Sequence, residues 1–427
     1  MVRALFIAVC VSAASHAALA QPTYSREVSR ILQAKCQNCH RPNDIAPFPL
    51  QTYEQASTWS TDIARVVRER IMPPWKPVAG HGEFRDSFGL TDEERETLIR
   101  WAEGGAPEGD AADLPEPLPE RGEWVLGEPD VVLTMPEPYT PPRGKDMYRC
   151  FVLPTTFDAD RWISAVDVLP GNRGVVHHAI LYLDTTGASE KLDAAEEGPG
   201  YTCYGGPGTP IFSDVRAVLA GGTVGGWAPG ARPHHLPDGI GMTLPVGARI
   251  ILQLHYYSTR VSAEDQTRIG LYFSKSEPER RLYYLPVVPL DSRGWLRMEI
   301  PAGAERHEVQ ATFRTPPLSL FNLRAINVFP HMHLLGREIR LDVRKNGEWE
   351  PMIYIDNWDF NWQGSYTYQE PVSVPGGATL RLRCTYDNST NNPRNPSPEP
   401  KLVTWGEGTE DEMCLAFVGM VFERGLF

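Results

Sequence analysis

Apolar positions in the first quarter of the chain recur at helical spacing. In YEQASTWSTDIARVVRER, residues Ala56, Trp59, Ile63, Val66 and Val67 fall on one helical face. Thr91 and Glu94 form a capping box ahead of DEERETLIRWAE, and Gly104 stops that helix. An acidic, proline-rich stretch without periodicity follows and reads as a linker over 107–122. The texture then changes to short Val/Ile/Tyr/Leu runs broken by Pro and Gly, among them RWISAVDVLP, VVHHAILYLD, ARIILQLHYYS and ATLRLRCTYDN. Short strands with regular turn signals predict antiparallel β-sandwiches, two of them over this length. No internal repeat of fixed period is present.

A chain of 427 residues is too long for one core and suggests two or three domains. The first twenty residues combine Arg3, a short apolar run and Ala18-Leu19-Ala20, which reads as a signal peptide cleaved before Gln21. The mature product is therefore expected to be exported, periplasmic or secreted, with no membrane span. A net charge of −13 argues against nucleic acid or an anionic membrane as partner. Of seven cysteines, Cys10 leaves with the signal peptide and Cys36 and Cys39 belong to one motif. Cys150, Cys203, Cys384 and Cys414 remain, and four cysteines in an oxidising compartment allow three pairings.

The motif is CQNCH, residues 36–40. Two thiols followed by a histidine form the attachment pattern of a c-type haem, with His40 as proximal iron ligand. The expected second axial ligand is Met72 in ERIMPPWKP, with His81 as the rival.

The second chemical signal is the histidines of the β region. In NVFPHMHLLG, His331 and His333 are two apart, so on a strand both imidazoles project to one side. His255 lies in the strand ILQLHYY. His177 and His178 are adjacent in VVHHAILYL, and adjacent residues of a strand can serve one metal only through a twist or bulge. His234 and His235, in ARPHHLPDGIG, read as loop residues. Imidazoles together with thioethers favour copper over magnesium or calcium, and the thioether favours Cu(I).

These residues resemble, in order over about 123–425, the copper type II, ascorbate-dependent monooxygenases, the family of peptidylglycine α-hydroxylating and dopamine β-monooxygenases. The resemblance rests on VVHHAILYL, LQLHYY, HMHLLG followed by VRKNGEWEPM, and EDEMC. CQNCHRPNDIAPFPLQTYEQA, MPPW, WDFNWQ, YDNSTNNPRNP and WGEGTEDEMC further resemble bacterial proteins that fuse a cytochrome c-like domain to such a module. The resemblance implies a small all-α cytochrome c-like domain (21–106) and two antiparallel, jelly-roll-like β-sandwich copper domains (123–289 and 290–427). It implies one copper on His177, His178 and His255, and an oxygen-binding copper on His331, His333 and Met413, with a solvent-filled cleft between. It also implies disulfides Cys384–Cys414 and, by remainder, Cys150–Cys203.

The activity implied is hydroxylation of a C–H bond with O₂. Electrons would come through the covalent haem c from an external donor, ascorbate or a redox protein. Where the peptidylglycine enzymes hold a substrate carboxylate, this sequence has Phe329, Leu415 and Phe417, so a small apolar or aromatic substrate is expected. The alternative is a non-catalytic haem and copper protein that transfers electrons or handles copper.

Overall fold

The computed structural model describes residues 21–42, 44–119, 122–209, 222–229, 231–257 and 262–423. The expected signal peptide lies outside the described residues. The chain divides into two compact units. One runs to Pro73 and resumes over Phe88–Leu118; the other comprises Pro74–Ser87 and Pro119–Phe427.

In the first unit the helices are Ser29–Lys35, Tyr53–Thr58, Ser60–Arg68 and Asp92–Glu103, after a π-helical turn at Tyr24–Val28. Their core is Val28, Leu32, Ala56, Ile63, Val67, Leu98 and Trp101. The Thr91–Glu94 capping box is present, with Glu94 N–H donating to Thr91 Oγ1 and Thr91 N–H to the Glu94 carboxylate. The single helix expected through Trp59 is instead two. Trp59 forms the junction and stacks on Phe48 at 4.2 Å.

The second unit is β. Val131–Thr134, Arg268–Phe273, Arg161–Leu169, Ile240–Leu244 and Arg280–Arg281 form one five-stranded sheet. Tyr201–Thr202, Asp146–Pro154, Arg249–Tyr257, Val176–Asp184 and Thr223–Trp227 form a second. The third contains Tyr283–Val287, Leu415–Phe422, Leu323–His331 and Tyr366–Val374, and the fourth His307–Arg314, Thr379–Tyr386, Gly336–Lys345 and Glu348–Ile355. Cys150–Cys203 and Cys384–Cys414 are disulfide-bonded.

This corrects the expected fold class. The described residues are mostly β, 36 % strand against 13 % helix, and no N-terminal all-α cytochrome c-like domain is shown. One reason is the segment 74–87, inside the range expected to be all-helical. Pro77 bridges Ile355 and Phe84 bridges Tyr368 there, so the segment belongs to the β unit. The second reason is burial. The strands 323–331 and 415–422 are buried on both faces: Val328 and Val418 join one core, whereas Ile326 and Val421 join the core of the first two sheets. Alternating strand patterns cannot reveal a sheet covered twice, because both faces are then apolar. The pairing is also not wholly antiparallel, since 280–281 runs parallel to 240–241.

Candidate metal centre

His177 and His178 lie on the 176–184 strand, and His255 on its neighbour 249–257. Their register breaks between Val176↔Tyr256 and His178↔His255, which makes His177 the extra residue of a bulge. That bulge lets two consecutive side chains converge. One ligand nitrogen from each of the three rings lies within 4.8 Å of the others. His177 Nδ1 is 3.2 Å from His178 Nδ1, while His177 Nε2 and His255 Nδ1 are buried with no hydrogen-bond partner among the described residues. Unpartnered buried nitrogens are costly, and a metal ion would satisfy them. The donor set therefore fits a metal. Burial, then the neighbouring imidazoles, pushes His177 down to about 3 and His178 well below the ordinary imidazole range. Both rings are neutral at pH 7 and offer lone pairs.

His331 ends the 323–331 strand, and its ring lies 5.1 Å from that of His333, nearly perpendicular. His331 Nδ1 is 2.5 Å from Gln363 Oε1, and Gln363 Nε2 donates to the Phe360 carbonyl at 2.8 Å, which fixes the amide. The oxygen accepts, so the proton sits on Nδ1 and the lone pair on Nε2. His333 Nδ1 likewise donates to the Asp411 carbonyl at 3.0 Å. Burial again holds both rings neutral, His333 down to about 4 and His331 well below the usual value. The strand pairing ends at His331↔Leu415, and beyond it the Glu412 carboxylate accepts the amides of both His333 and Met413, at 2.8 and 3.3 Å. Met413 is buried, and its carbonyl accepts the Tyr386 hydroxyl at 2.8 Å. The Glu412 carboxylate accepts the His333 and Leu335 amides at 2.8 and 2.6 Å, which ties the two segments together.

The two sets adjoin. The His178 and His331 ring centroids are 5.9 Å apart, and Phe360 stacks on His177 at 4.4 Å while its edge meets His333 at 5.8 Å. The solvent-filled cleft that the resemblance implied is therefore closed here, with all five histidines buried. The stretch WDFNWQ explains part of this. Trp358 Nε1 donates to the His333 carbonyl at 3.2 Å, Phe360 fills the junction and Gln363 orients His331. Sequence reasoning gave these three residues no role. Their signal was a glutamine set among aromatics.

A cavity of about 140 Å³ reaches His178 and is walled by Val166, Trp227, Leu236, Phe329 and Phe417. Phe329 lies parallel to His331, 6.2 Å between centroids. Gly225 has φ +131°, and a Cβ there would meet only Val166 at 4.0 Å, so the missing side chain leaves the space open. His234 and His235, read as plain loop residues, also line it. His234 is 3.2 Å from Asp86, and His235 Nδ1 is 3.3 Å from Ser164 Oγ. Leu415 does not line it.

In the helical unit, Cys36 caps the 29–35 helix, and both Cys36 and Cys39 remain thiols. Burial, with Cys39 second, pushes the Cys36 thiol up to about 12. His40 Nδ1 donates to the Phe48 carbonyl at 3.1 Å. Met72 is 38 % exposed, and His81 packs on Tyr354 at 5.2 Å within the β unit.

Residues 296–423 match the family model "Copper type II ascorbate-dependent monooxygenase, C-terminal domain". The chain is 26 % identical over 269 residues to DBH-like monooxygenase protein 1 of Gallus gallus, covering 58 % of this chain and 39 % of that protein. It is 24 % identical over 298 residues to dopamine beta-hydroxylase of Homo sapiens, covering 65 % and 44 %. The chain thus spans about two fifths of the length of these curated relatives. Among solved structures, the major capsid protein P2 from bacteriophage PM2 is similar at a TM-score of 0.27 and 8 % identity, over 68 % of this chain and 97 % of that one. That likeness is too distant to carry an argument. The sequence matches carry more: the family they support is that of the copper type II ascorbate-dependent monooxygenases.

Proposed function

We propose that this protein is an exported, copper-dependent monooxygenase that hydroxylates a C–H bond of a small apolar or aromatic molecule. One observation carries the reading: three buried imidazoles converge, two of them with an unpartnered ring nitrogen, beside a second buried histidine pair whose His333 shares the Glu412 carboxylate with Met413. His177, His178 and His255 would hold one copper; His331, His333 and Met413 would hold the other, and the domains proposed around them are 123–289 and 290–427. Bound copper would supply one-electron storage and dioxygen activation.

The chain's own residues would do the rest. Gln363 and the Asp411 carbonyl hold the His331 and His333 tautomers, and Phe360 excludes water between the two sets. The 140 Å³ cavity at His178, Phe329 and Phe417 would take the substrate. An apolar cavity of about 150 Å³ accommodates benzene, so the size favours a single ring. Phe329 and Phe417 make the wall beside His178 apolar, as an uncharged ring requires, while Arg232, His234 and His235 line another part of it. The same cavity weighs against a protein that only transfers electrons or handles copper, which needs no such chamber.

A covalent haem at Cys36 and Cys39 is part of the proposal. His40 Nδ1–H on a carbonyl would leave Nε2 for iron, with Met72 as the second ligand. The 107–122 linker would tether that unit, and ascorbate or a redox protein would be the outer donor. Two disulfides fit an oxidising compartment, periplasmic or secreted, with residues 1–20 as the export signal. No described helix is long and apolar enough to cross a membrane.

The test is metal analysis with oxygen uptake. Copper-loaded, ascorbate-reduced protein is expected to bind two coppers and to consume O₂ with single-ring hydrocarbons. Copper binding without substrate-dependent uptake across such a panel would leave only the electron-transfer reading.

A further inference from the structure

Asp146 opens the 146–154 strand and stands beside both histidine sets. Its Oδ1 is 2.5 Å from His255 Nε2, and its Oδ2 accepts the Thr409 N–H at 2.6 Å. One carboxylate is thus shared between an imidazole of the first set and the backbone of the segment 405–414. That segment gives the Asp411 carbonyl to His333 and carries Met413. Two neighbouring bonds dock it on the same sheet: the Tyr148 hydroxyl donates to the Glu407 carbonyl at 3.1 Å, and the Gly205 N–H to the Glu407 carboxylate at 2.6 Å. Tyr148 also lies flat on His255, 4.3 Å between centroids. The first set and the segment shaping the second therefore share one small cluster of contacts, centred on Asp146.

We infer that Asp146 is a positioning residue that yokes the two metal-binding sets. Its first oxygen accepts from His255 Nε2, which leaves Nδ1, the buried unpartnered nitrogen, toward the other imidazoles. Its second oxygen holds the segment that fixes His333 and Met413. A carboxylate can do both because it only accepts, with lone pairs on both oxygens. Asparagine keeps one acceptor and gains an NH₂, so it can serve only one of the two donors. A carboxylate on the far nitrogen of a ligating histidine also raises its basicity, and losing such a partner lowers metal affinity by about 10–100-fold. The metal half of this inference rests on the proposed copper sites; the hydrogen-bond half does not.

The full-length protein tests it with Asp146→Ala, Asp146→Asn and, as a control, Glu196→Gln. The control weakens the ion pair between Arg149 of the same strand and Glu196 without touching either set. Amide hydrogen exchange is measured on copper-free protein, and Cu(II) binding is followed by titration and electron paramagnetic resonance. Asp146→Ala should speed exchange across 405–413 about tenfold while leaving the 176–184 and 249–257 strands unchanged. It should also weaken copper at the first set by about 10–100-fold and alter the spectrum of copper at the second. Asp146→Asn, which keeps one of the two bonds, should show either the weaker first-set copper or the loosened 405–413 segment with its altered second-set spectrum, and Glu196→Gln none of these effects. A uniform rise in exchange, or an unchanged second-site spectrum in Asp146→Ala, would overturn the yoke. If wild type takes up no copper yet Asp146→Ala loosens 405–413, the yoke stands and the copper reading fails. If copper binds normally and 405–413 is unaffected by Asp146→Ala, the reverse holds.

Discussion

The two histidine sets are built differently. His177, His178 and His255 sit on adjacent strands of one sheet, so the hydrogen-bonded ladder and a single bulge fix their spacing. His331 and His333 straddle a strand end, and Met413 comes from a loop, so side-chain and backbone hydrogen bonds and the Cys384–Cys414 bridge do that work. Their protons differ too. The first set has a carboxylate on the far nitrogen of His255, whereas the second leans on neutral carbonyl oxygens. A carboxylate partner raises imidazole basicity and suits the more highly charged Cu(II), while a thioether suits Cu(I). On the proposed copper assignment, the first set would be the rigid site for storing charge and the second the more yielding one for oxygen.

The hardest test of this division removes one ligand from each side. His255→Ala and His333→Ala should each lower copper content from two per chain to one, measured by metal analysis after dialysis. If either variant still holds two, the two sets are not separate sites. A finer cut is Gln363→Leu, which deletes the acceptor on His331 Nδ1 without touching a proposed ligand. It should weaken copper at the second set by roughly 10–100-fold and leave the first unchanged. Equal weakening at both would erase the distinction between them.

How much of this could be read from residues alone follows from the same contrast. The adjacency of His177 and His178 called for a bulge, and the register shift is there. The spacing of His331 and His333 suggested a shared side, and their rings are 5.1 Å apart. What escaped were the partners: Asp146, Phe360 and Gln363 are ordinary polar or aromatic residues, remote in sequence, and only the folded chain brings them to a ring nitrogen or ring face. The fold class failed for a related reason. Strands such as 323–331 are apolar on both faces, so the alternation that marks a sandwich could not show that this sheet serves two cores. The segment 74–87 looked like part of a helical domain because nothing in its own sequence records that Phe84 pairs with Tyr368. His234 and His235 looked like loop residues, as they are, but the loop walls a cavity.

The softness of the second set can be tested through its sulfur. Met413→Leu preserves volume and removes the thioether. Cu(II) uptake through His331 and His333 should persist, while carbon monoxide binding to the reduced protein weakens by about tenfold. Met420, buried in the core and paired with Ala325, is the internal control, and Met420→Leu should change neither measurement. Loss in Met420→Leu with retention in Met413→Leu would mean that the wrong sulfur has been chosen.

The smallest effect expected concerns acid, where the two sets should behave alike despite their different partners. Burial holds His177 down to about 3 and His333 to about 4, and the unfolded chain titrates its imidazoles near 6.5. Below about pH 6.5 the unfolded state therefore binds more protons than the folded one, and the copper-free protein loses stability as pH falls toward 4. His177→Phe keeps a ring against Phe360 and removes one of those protons. Urea denaturation of copper-free protein at pH 7 and pH 5 should show a smaller loss for this variant than for wild type, by on the order of 1 kcal/mol. His333→Phe should flatten the dependence in the same sense. A flattening by one and not the other would mean that one set accepts a proton while folded, and the likeness between the two sites in acid would be lost.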